Sequence, residues 1–103
     1  MKVYKIQISQ RAFSSINECV LFVNAVSNLA AKDLYKEIMN SINSLKLLPN
    51  SYPNIEGLSI GGFNIKRMPI HKGRYIILYK INGDLITIYD IIDSRKDNSI
   101  LKL

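Results

Sequence analysis

The residues of this sequence that could do chemistry are mainly cations in its last third. Between Phe63 and Lys80 the chain has five lysines and arginines and no carboxylate: Lys66, Arg67, Lys72, Arg74 and Lys80. Arg95 and Lys96 follow near the end. Such side chains bind phosphates and carboxylates, and the formal net charge of +6 has the same sign. We therefore expect an anionic partner, either nucleic acid or an acidic protein surface; a basic face that is merely solvated is the simpler alternative.

Metal-free cleavage of RNA is one reaction for which these residue types suffice. The 2′-OH needs a base, the phosphorane needs cations, and the leaving 5′ oxygen needs an acid. The candidate set joins four cations to the single histidine: Lys66, Arg67, His71, Arg74 and Lys96. Tyr75, Tyr79 and Tyr89 could stack on bases, although strand alternation places Tyr89 on the face opposite the other two. His71 beside Lys72 also fits an ordinary solvated turn residue.

Other site chemistries find little support in the sequence. One histidine and one cysteine do not make a metal site, and Asp90 and Asp93 are three apart in a strand-like segment, hence on opposite faces. We predict no metal and no cofactor, because no glycine-rich loop precedes a helix and no nucleophile triad is apparent. Cys19 cannot form an internal disulfide and is predicted to be a buried thiol in a reducing compartment.

A β-hairpin is predicted to position the cations. Asn82-Gly83 is the signal of a type I′ turn between two apolar strands. That turn sets Ile81 opposite Asp84 and continues with three pairs: Tyr79 with Ile86, Ile77 with Ile88 and Tyr75 with Asp90. Lys72 and Arg74 should then lie near Arg95 and Lys96, where they could hold phosphate or an acidic partner segment.

The remaining elements follow from changes in hydrophobic period. Residues 2–9 alternate as a strand, and a helix begins at Gln10 with Ser9 as its N-cap. A second helix, capped by Asn28, carries one apolar stripe and ends at Leu48-Pro49; the stripe is Leu34, Ile38, Ile42 and Leu45. An irregular loop is expected from Pro49 to Gly62, then a strand from Phe63 that Pro69 ends or confines to an edge.

These elements predict one α+β domain over residues 1–103, in the order β-α-α-β-β-β. A helical hairpin would pack on a small twisted antiparallel sheet, with the segment from Tyr75 to Tyr79 as a central strand covered on both faces. The sequence shows neither a signal-peptide run nor a membrane span, which predicts a cytoplasmic protein without membrane contact.

The order of these pieces resembles the ParE/RelE superfamily, the toxins of type II toxin–antitoxin systems. The resemblance rests on Ala30-Ala31 opening a helix that runs to Leu48-Pro49 and on the strand Lys66-Arg67-Met68-Pro69. It extends to the hairpin from Arg74-Tyr75 through Asn82-Gly83-Asp84 and to its close at Ser94-Arg95-Lys96-Asp97. The fold that this resemblance implies is the helical hairpin on a sheet described above.

Two mechanisms are implied by the resemblance. RelE-like members are ribosome-dependent mRNA endonucleases with basic sheet residues and commonly a tyrosine or histidine near the C-terminus, whereas ParE-like members are non-enzymatic poisons of DNA gyrase. The tail from Asp97 to Leu103 has no Tyr, His or Phe, and the order Gly73-Arg74-Tyr75-Ile76 does not place an arginine two residues after the glycine as RelE-like sheets do. Both departures favour the ParE-like branch.

The ParE-like branch implies a cognate antitoxin, bound in a hetero-oligomer, and DNA gyrase as the target. The predicted target-binding or phosphate-binding residues are the cations Arg67, Lys72, Arg74, Arg95 and Lys96, with no catalytic residue. The alternatives are a RelE-like nuclease that acts on ribosome-bound mRNA, and a degenerate member that binds its antitoxin and poisons nothing.

Overall fold

The computed structural model describes residues 2–96. Two helices and five strands occur in the order β1 (Lys5–Ile8), α1 (Gln10–Asn24), α2 (Asn28–Ser44), β2 (Asn54–Ile60), β3 (Phe63–Ile70), β4 (Tyr75–Asn82) and β5 (Leu85–Asp93). One sheet contains all five strands in the order β1-β5-β4-β3-β2. The predicted α+β class is confirmed, although the sheet is mixed rather than wholly antiparallel, because β1 runs parallel to β5.

Serine side chains cap both helices. Ser9 Oγ accepts a hydrogen bond from the Ala12 N–H at 3.0 Å, and Ser27 Oγ accepts one from the Ala30 N–H at 3.1 Å. The N-cap of α2 is therefore Ser27 and not Asn28, since the side chain of the residue before the first helical turn reaches the free amides of that turn. No helix within residues 2–96 is long and apolar enough to cross a membrane.

Apolar side chains cover both faces of the sheet. The helix-side core contains the predicted α2 stripe and sheet residues such as Ile77 and Ile88. On the opposite face, which we call the helix-free face, Ile55, Ile65 and Leu78 form a second buried cluster. Every residue of the β4 segment from Tyr75 to Tyr79 is buried, so the prediction of a doubly covered central strand is confirmed.

The expected irregular loop from Pro49 to Gly62 contains a strand. Residues Asn54–Ile60 form β2 and pair with β3, with a shift of register between Asn54 and Ser59. Gly57 has a φ of +79° at this irregularity, a conformation that a side chain disfavours. The glycines therefore permit a kinked edge strand here, whereas the sequence reading took them as a sign of no strand.

The hairpin turn lies one residue further along than predicted. Asn82 pairs with Leu85, so the turn residues are Gly83 and Asp84. Of these two turn residues, Gly83 alone has a positive φ, at +62°, whereas a type I′ turn needs positive φ at both. Tyr79 consequently pairs with Ile88 instead of Ile86, and Tyr75 pairs with Asp93 instead of Asp90.

A β-bulge explains why the pairing of Tyr75 is shifted by three positions when that of Tyr79 is shifted by two. The register changes between Leu78 and Tyr79, where Leu78 pairs with Asp90 and Tyr79 with Ile88, so Tyr89 is the extra residue of β5.

Pro69 does not end β3, which continues to Ile70. The N–H groups of positions 67 and 69 point toward the same side of β3. The Arg67 N–H donates to the Pro53 carbonyl just before β2 begins, and the pairing with β2 starts at Asn54 with Lys66. Pro69 therefore lies beyond the part of β3 that pairs with β2. Within the described part of the chain, no neighbouring strand requires a hydrogen bond from an N–H at this position, so proline is tolerated there.

Candidate functional site

The ends of three strands meet at one end of the sheet. Ile70 closes β3, Tyr75 opens β4 opposite it, and Asp93 closes β5 opposite Tyr75. Two basic segments continue from these strands, and together they form what we call the basic sheet end, consisting of His71, Lys72, Arg74, Arg95 and Lys96.

Ser94 joins the two basic segments. Its N–H donates to the Arg74 carbonyl at 2.8 Å, and its hydroxyl donates to the Gly73 carbonyl at 2.7 Å and the Arg74 carbonyl at 3.0 Å. The structure thus brings together five of the seven sequence-predicted site residues on one hydrogen-bonded frame.

The cations of the basic sheet end differ in their partners. Arg95 donates from Nε and Nη2 to the two carboxylate oxygens of Asp93, at 3.1 and 2.9 Å. These bonds lower the pKa of the Asp93 carboxyl. Lys96 Nζ lies 5.7 Å from the centre of the Phe22 ring on α1. Within residues 2–96, Lys72 and Arg74 have no salt bridge, and both are exposed.

His71 is exposed but not merely solvated. Its Nδ1 lies 2.8 Å from Glu37 Oε1, and its backbone N–H donates to Glu37 Oε2 at 2.7 Å. The hydrogen bond with the His71 side chain lowers the pKa of the Glu37 carboxyl. The two side chains remain 42% and 40% exposed, so solvent or a partner can reach the imidazole.

Lys66 and Arg67 lie away from the basic sheet end. They pair with Tyr79 and Leu78 in the middle of the sheet, and Arg67 is three residue steps, roughly 10 Å of strand, from Ile70. Arg67 is half-buried and shares its side-chain parity with Ile65 on the helix-free face. Lys66 projects to the other side and donates from Nζ to the Tyr52 carbonyl at 3.2 Å. The predicted set of cations therefore divides between two regions of the sheet.

The tyrosines do not form a stacking platform at the basic sheet end. Tyr75 and Tyr79 are buried in the helix-side core, and the Tyr79 hydroxyl donates to the Pro49 carbonyl at 2.7 Å. Burial raises the pKa of both phenols. Tyr89 is half-buried with the opposite cluster, and the Arg11 guanidinium lies 5.1 Å from its ring centre. The predicted division of the three tyrosines between two faces is confirmed.

Cys19 occupies a recess next to the basic sheet end. The recess between α1 and β5 is also lined by Phe22, Tyr75, Asp93 and Lys96. The thiol is half-buried rather than fully buried, and burial raises its pKa. A raised pKa disfavours the thiolate, the form needed for nucleophilic attack, so this thiol is poorly suited to catalysis.

Sequence reasoning missed the acids that organise the site. Glu37 is 34 residues from His71, a separation that no local sequence pattern reports. Asp93 and Arg95 are two residues apart, and that spacing was the one local signal that could have indicated their pairing. The tail from Asp97 to Leu103, which contributed to the sequence argument, lies outside the described residues.

The arrangement is suited to binding anions and holds few groups for bond cleavage. Lys72 and Arg74 offer exposed positive charge on a turn held from two sides, by Glu37 and by Ser94. At the basic sheet end, the exposed His71 imidazole is the side chain whose type is most often used for general acid–base catalysis.

Comparisons with known proteins reveal the fold and little sequence similarity. No family model and no curated protein matches the sequence. A solved structure described as the chromosomal ParDE TA system from P. aeruginosa matches with a TM-score of 0.69 and 12% identity, over 88% of this chain and 96% of that chain. The resemblance seen in the sequence is confirmed at the level of architecture: this chain has a ParE/RelE-like fold.

Proposed function

We propose that this protein is the toxin of a type II toxin–antitoxin pair and that it inhibits DNA gyrase by binding, without cleaving a bond. The observation that carries the proposal is the match in fold to a chain of a ParDE system, combined with exposed cations on a rigid sheet end. A cognate antitoxin in the cytoplasm would complete the pair. An acidic antitoxin segment is the complementary partner for a chain of net charge +6.

The burial and the separation of the potential catalytic groups favour binding over cleavage. The tyrosines on the helix side are buried, and the Lys66 and Arg67 side chains lie on opposite faces away from His71. A nuclease would need its acid, base and cations around one phosphodiester. Within the candidate nuclease set, His71 and Arg74 line one cavity, whereas Lys66 and Arg67 lie in the middle of the sheet.

One observation favours the RelE-like alternative. The Glu37 carboxylate contacts Nδ1 of an exposed imidazole, and a carboxylate in that position orients a histidine for proton transfer. The experiment below therefore measures both activities with the same protein preparation.

The test is a gyrase supercoiling assay beside a translation assay that detects cut mRNA. We expect the purified protein to inhibit supercoiling and to leave mRNA intact. The double variant Lys72→Ala/Arg74→Ala should need at least about tenfold more protein for the same inhibition, the loss expected when contacts to charged groups are removed. The matched control, Lys32→Ala/Lys46→Ala, removes the same charge from exposed positions elsewhere and should act like the unmodified chain.

Three results would overturn the proposal or its details. Cleavage of mRNA without effect on gyrase would replace the binding mechanism by the nuclease mechanism. A folded protein that does neither, and whose expression leaves growth unaffected, would indicate a member that only binds antitoxin. Equal loss of inhibition in both double variants would show that net charge matters rather than the basic sheet end.

A further inference from the structure

The turn that carries Lys72 has an unusual backbone. His71, Lys72 and Gly73 have φ angles of +54°, +56° and +80° in succession. Residues with a Cβ atom disfavour this left-handed region, and two adjacent ones persist there only when their surroundings hold them. The left-handed conformation of His71 and Lys72 therefore requires a specific stabilising contact.

Glu37 supplies that contact from α2. Each of its carboxylate oxygens bonds a different atom of His71, the backbone nitrogen at 2.7 Å and Nδ1 at 2.8 Å. Because one group fixes both the main chain and the side chain of the same residue, it holds the first left-handed residue of the turn. Within the turn, the Gly73 N–H bonds the Ile70 carbonyl and the Arg74 N–H bonds the His71 carbonyl.

The same contact leaves the neighbouring cations without a carboxylate partner. Glu37 lines one cavity together with His71, Lys72 and Arg74, so it is a carboxylate with which the two cations could pair there. Its two oxygens are occupied by His71, and within residues 2–96 neither Lys72 nor Arg74 has a salt bridge. The cations consequently remain available to an outside anion.

We propose that Glu37 and His71 are positioning residues for target binding: their double contact fixes the left-handed turn and leaves Lys72 and Arg74 free to meet an acidic group of the target. This inference rests on the proposed function for the identity of the target. It assigns a role to a helix residue that acts through His71.

The test compares substitutions that differ in geometry but match in charge. Glu37→Ala removes the contact, and Asp33→Ala removes the same charge from an exposed position of the same helix. His71→Asn keeps a residue that tolerates positive φ and can donate from its amide, whereas His71→Val places a β-branched residue in that backbone region. All three positions are exposed or half-buried, and amide spectra verify that each of the four variants is folded.

The two readouts are the amide chemical shifts of residues 71–73 and the concentration that half-inhibits gyrase. We expect Glu37→Ala and His71→Val to shift the turn amides and to raise that concentration about tenfold, the effect of losing bonds to a charged group. Asp33→Ala should change neither readout, and His71→Asn should stay within about threefold of the unmodified chain, because its conservative contact is retained.

The outcomes separate this inference from the function on which it rests. Unchanged turn amides in Glu37→Ala would show that the contact does not hold the turn. Shifted amides with undiminished inhibition would show that the turn does not position target contacts. If the unmodified chain itself fails to inhibit gyrase, the proposed function is refuted and the role in target binding with it, while the amide shifts still decide whether Glu37 holds the turn.

Discussion

Replacing Tyr79 by phenylalanine should lower stability without lowering activity per folded molecule. The side chain is 0% exposed, and its hydroxyl donates to the carbonyl of Pro49, which is also buried. Phenylalanine preserves the ring and its packing, so no cavity is formed. The change removes one hydrogen bond and leaves a buried carbonyl without this donor, which costs about 1–3 kcal/mol of unfolding free energy.

Urea denaturation followed by circular dichroism measures that loss. With a slope of roughly 1.5–2 kcal/mol per molar urea for a domain of this size, the midpoint should fall by about 1 M. Tyr35→Phe is the matched control, because Tyr35 is exposed on α2 and its hydroxyl should contribute less than about 0.5 kcal/mol. Equal effects of the two substitutions would contradict the argument from burial. Loss of gyrase inhibition in folded Tyr79→Phe would instead indicate that this phenol acts in the mechanism.

Three further outcomes are expected. Gly83→Ala should cost about 1–2 kcal/mol in the same denaturation experiment, since the φ of +62° disfavours any side chain although the space around the glycine is open; an unchanged midpoint would contradict this. Acidification should destabilise the protein, because folding lowers the pKa values of Glu37 and Asp93. Their contribution to stability is complete above their ordinary pKa values of 4.5 and 3.8 and is lost as pH falls through the lowered pKa values of the folded state. The double variant Glu37→Gln/Asp93→Asn should therefore show a flatter dependence of stability on pH below about pH 4.5. Cys19 should react slowly with iodoacetamide at pH 8 and much faster in urea, because burial raises its pKa and limits access; equal rates would indicate an exposed thiol.

The buried faces of the hairpin could be predicted although its register was wrong. Placing the turn one residue early moved Tyr79 from Ile88 to Ile86, a change of two positions along β5. Because side chains alternate with a period of two, such a shift leaves the paired residues between Tyr79 and the turn on their original faces; beyond the bulge at Tyr89 the shift is three. Tyr75 and Tyr79 both belong to β4, whose alternation the bulge in β5 does not interrupt, so the prediction that they share one face was right independently of the exact pairing.

The strand β2 could not be recognised because its signal is interrupted. Gly57 kinks the strand, and glycines at 61 and 62 form the connection to β3, both with positive φ. Ile55 becomes buried only because the opposite face of β3 and β4 offers it an apolar surface. A contact of that kind arises from tertiary packing, which local propensity does not report.

The acids next to the basic sheet end decide which of its cations are free, and apart from the two-residue spacing of Asp93 and Arg95 no sequence signal indicated their contacts. Two carboxylates, Glu37 and Asp93, lie among the cations, and each is engaged by a different residue, His71 or Arg95. The pairing of Arg95 with Asp93 depends on how β5 ends, and the bulge at Tyr89 contributes the final one-residue shift that sets Asp93 opposite Tyr75. In the predicted register Arg74 would have lain beside Ile91, four residues before Arg95.

In the observed register Arg74 adjoins Ser94, so the basic segment of β5 begins beside the turn and one of its two cations is already compensated. The positive field of this end should then originate from Lys72, Arg74 and Lys96, which within residues 2–96 have no salt bridge, with Lys72 and Arg74 together on the turn. Two adjacent unpaired cations on a fixed turn attract an approaching acidic surface over roughly a Debye length, about 8–10 Å at physiological salt. Cations that are each paired with a carboxylate would not attract such a surface. The placement of the acids, more than the number of lysines and arginines, therefore determines whether the sheet end can recruit an anionic partner.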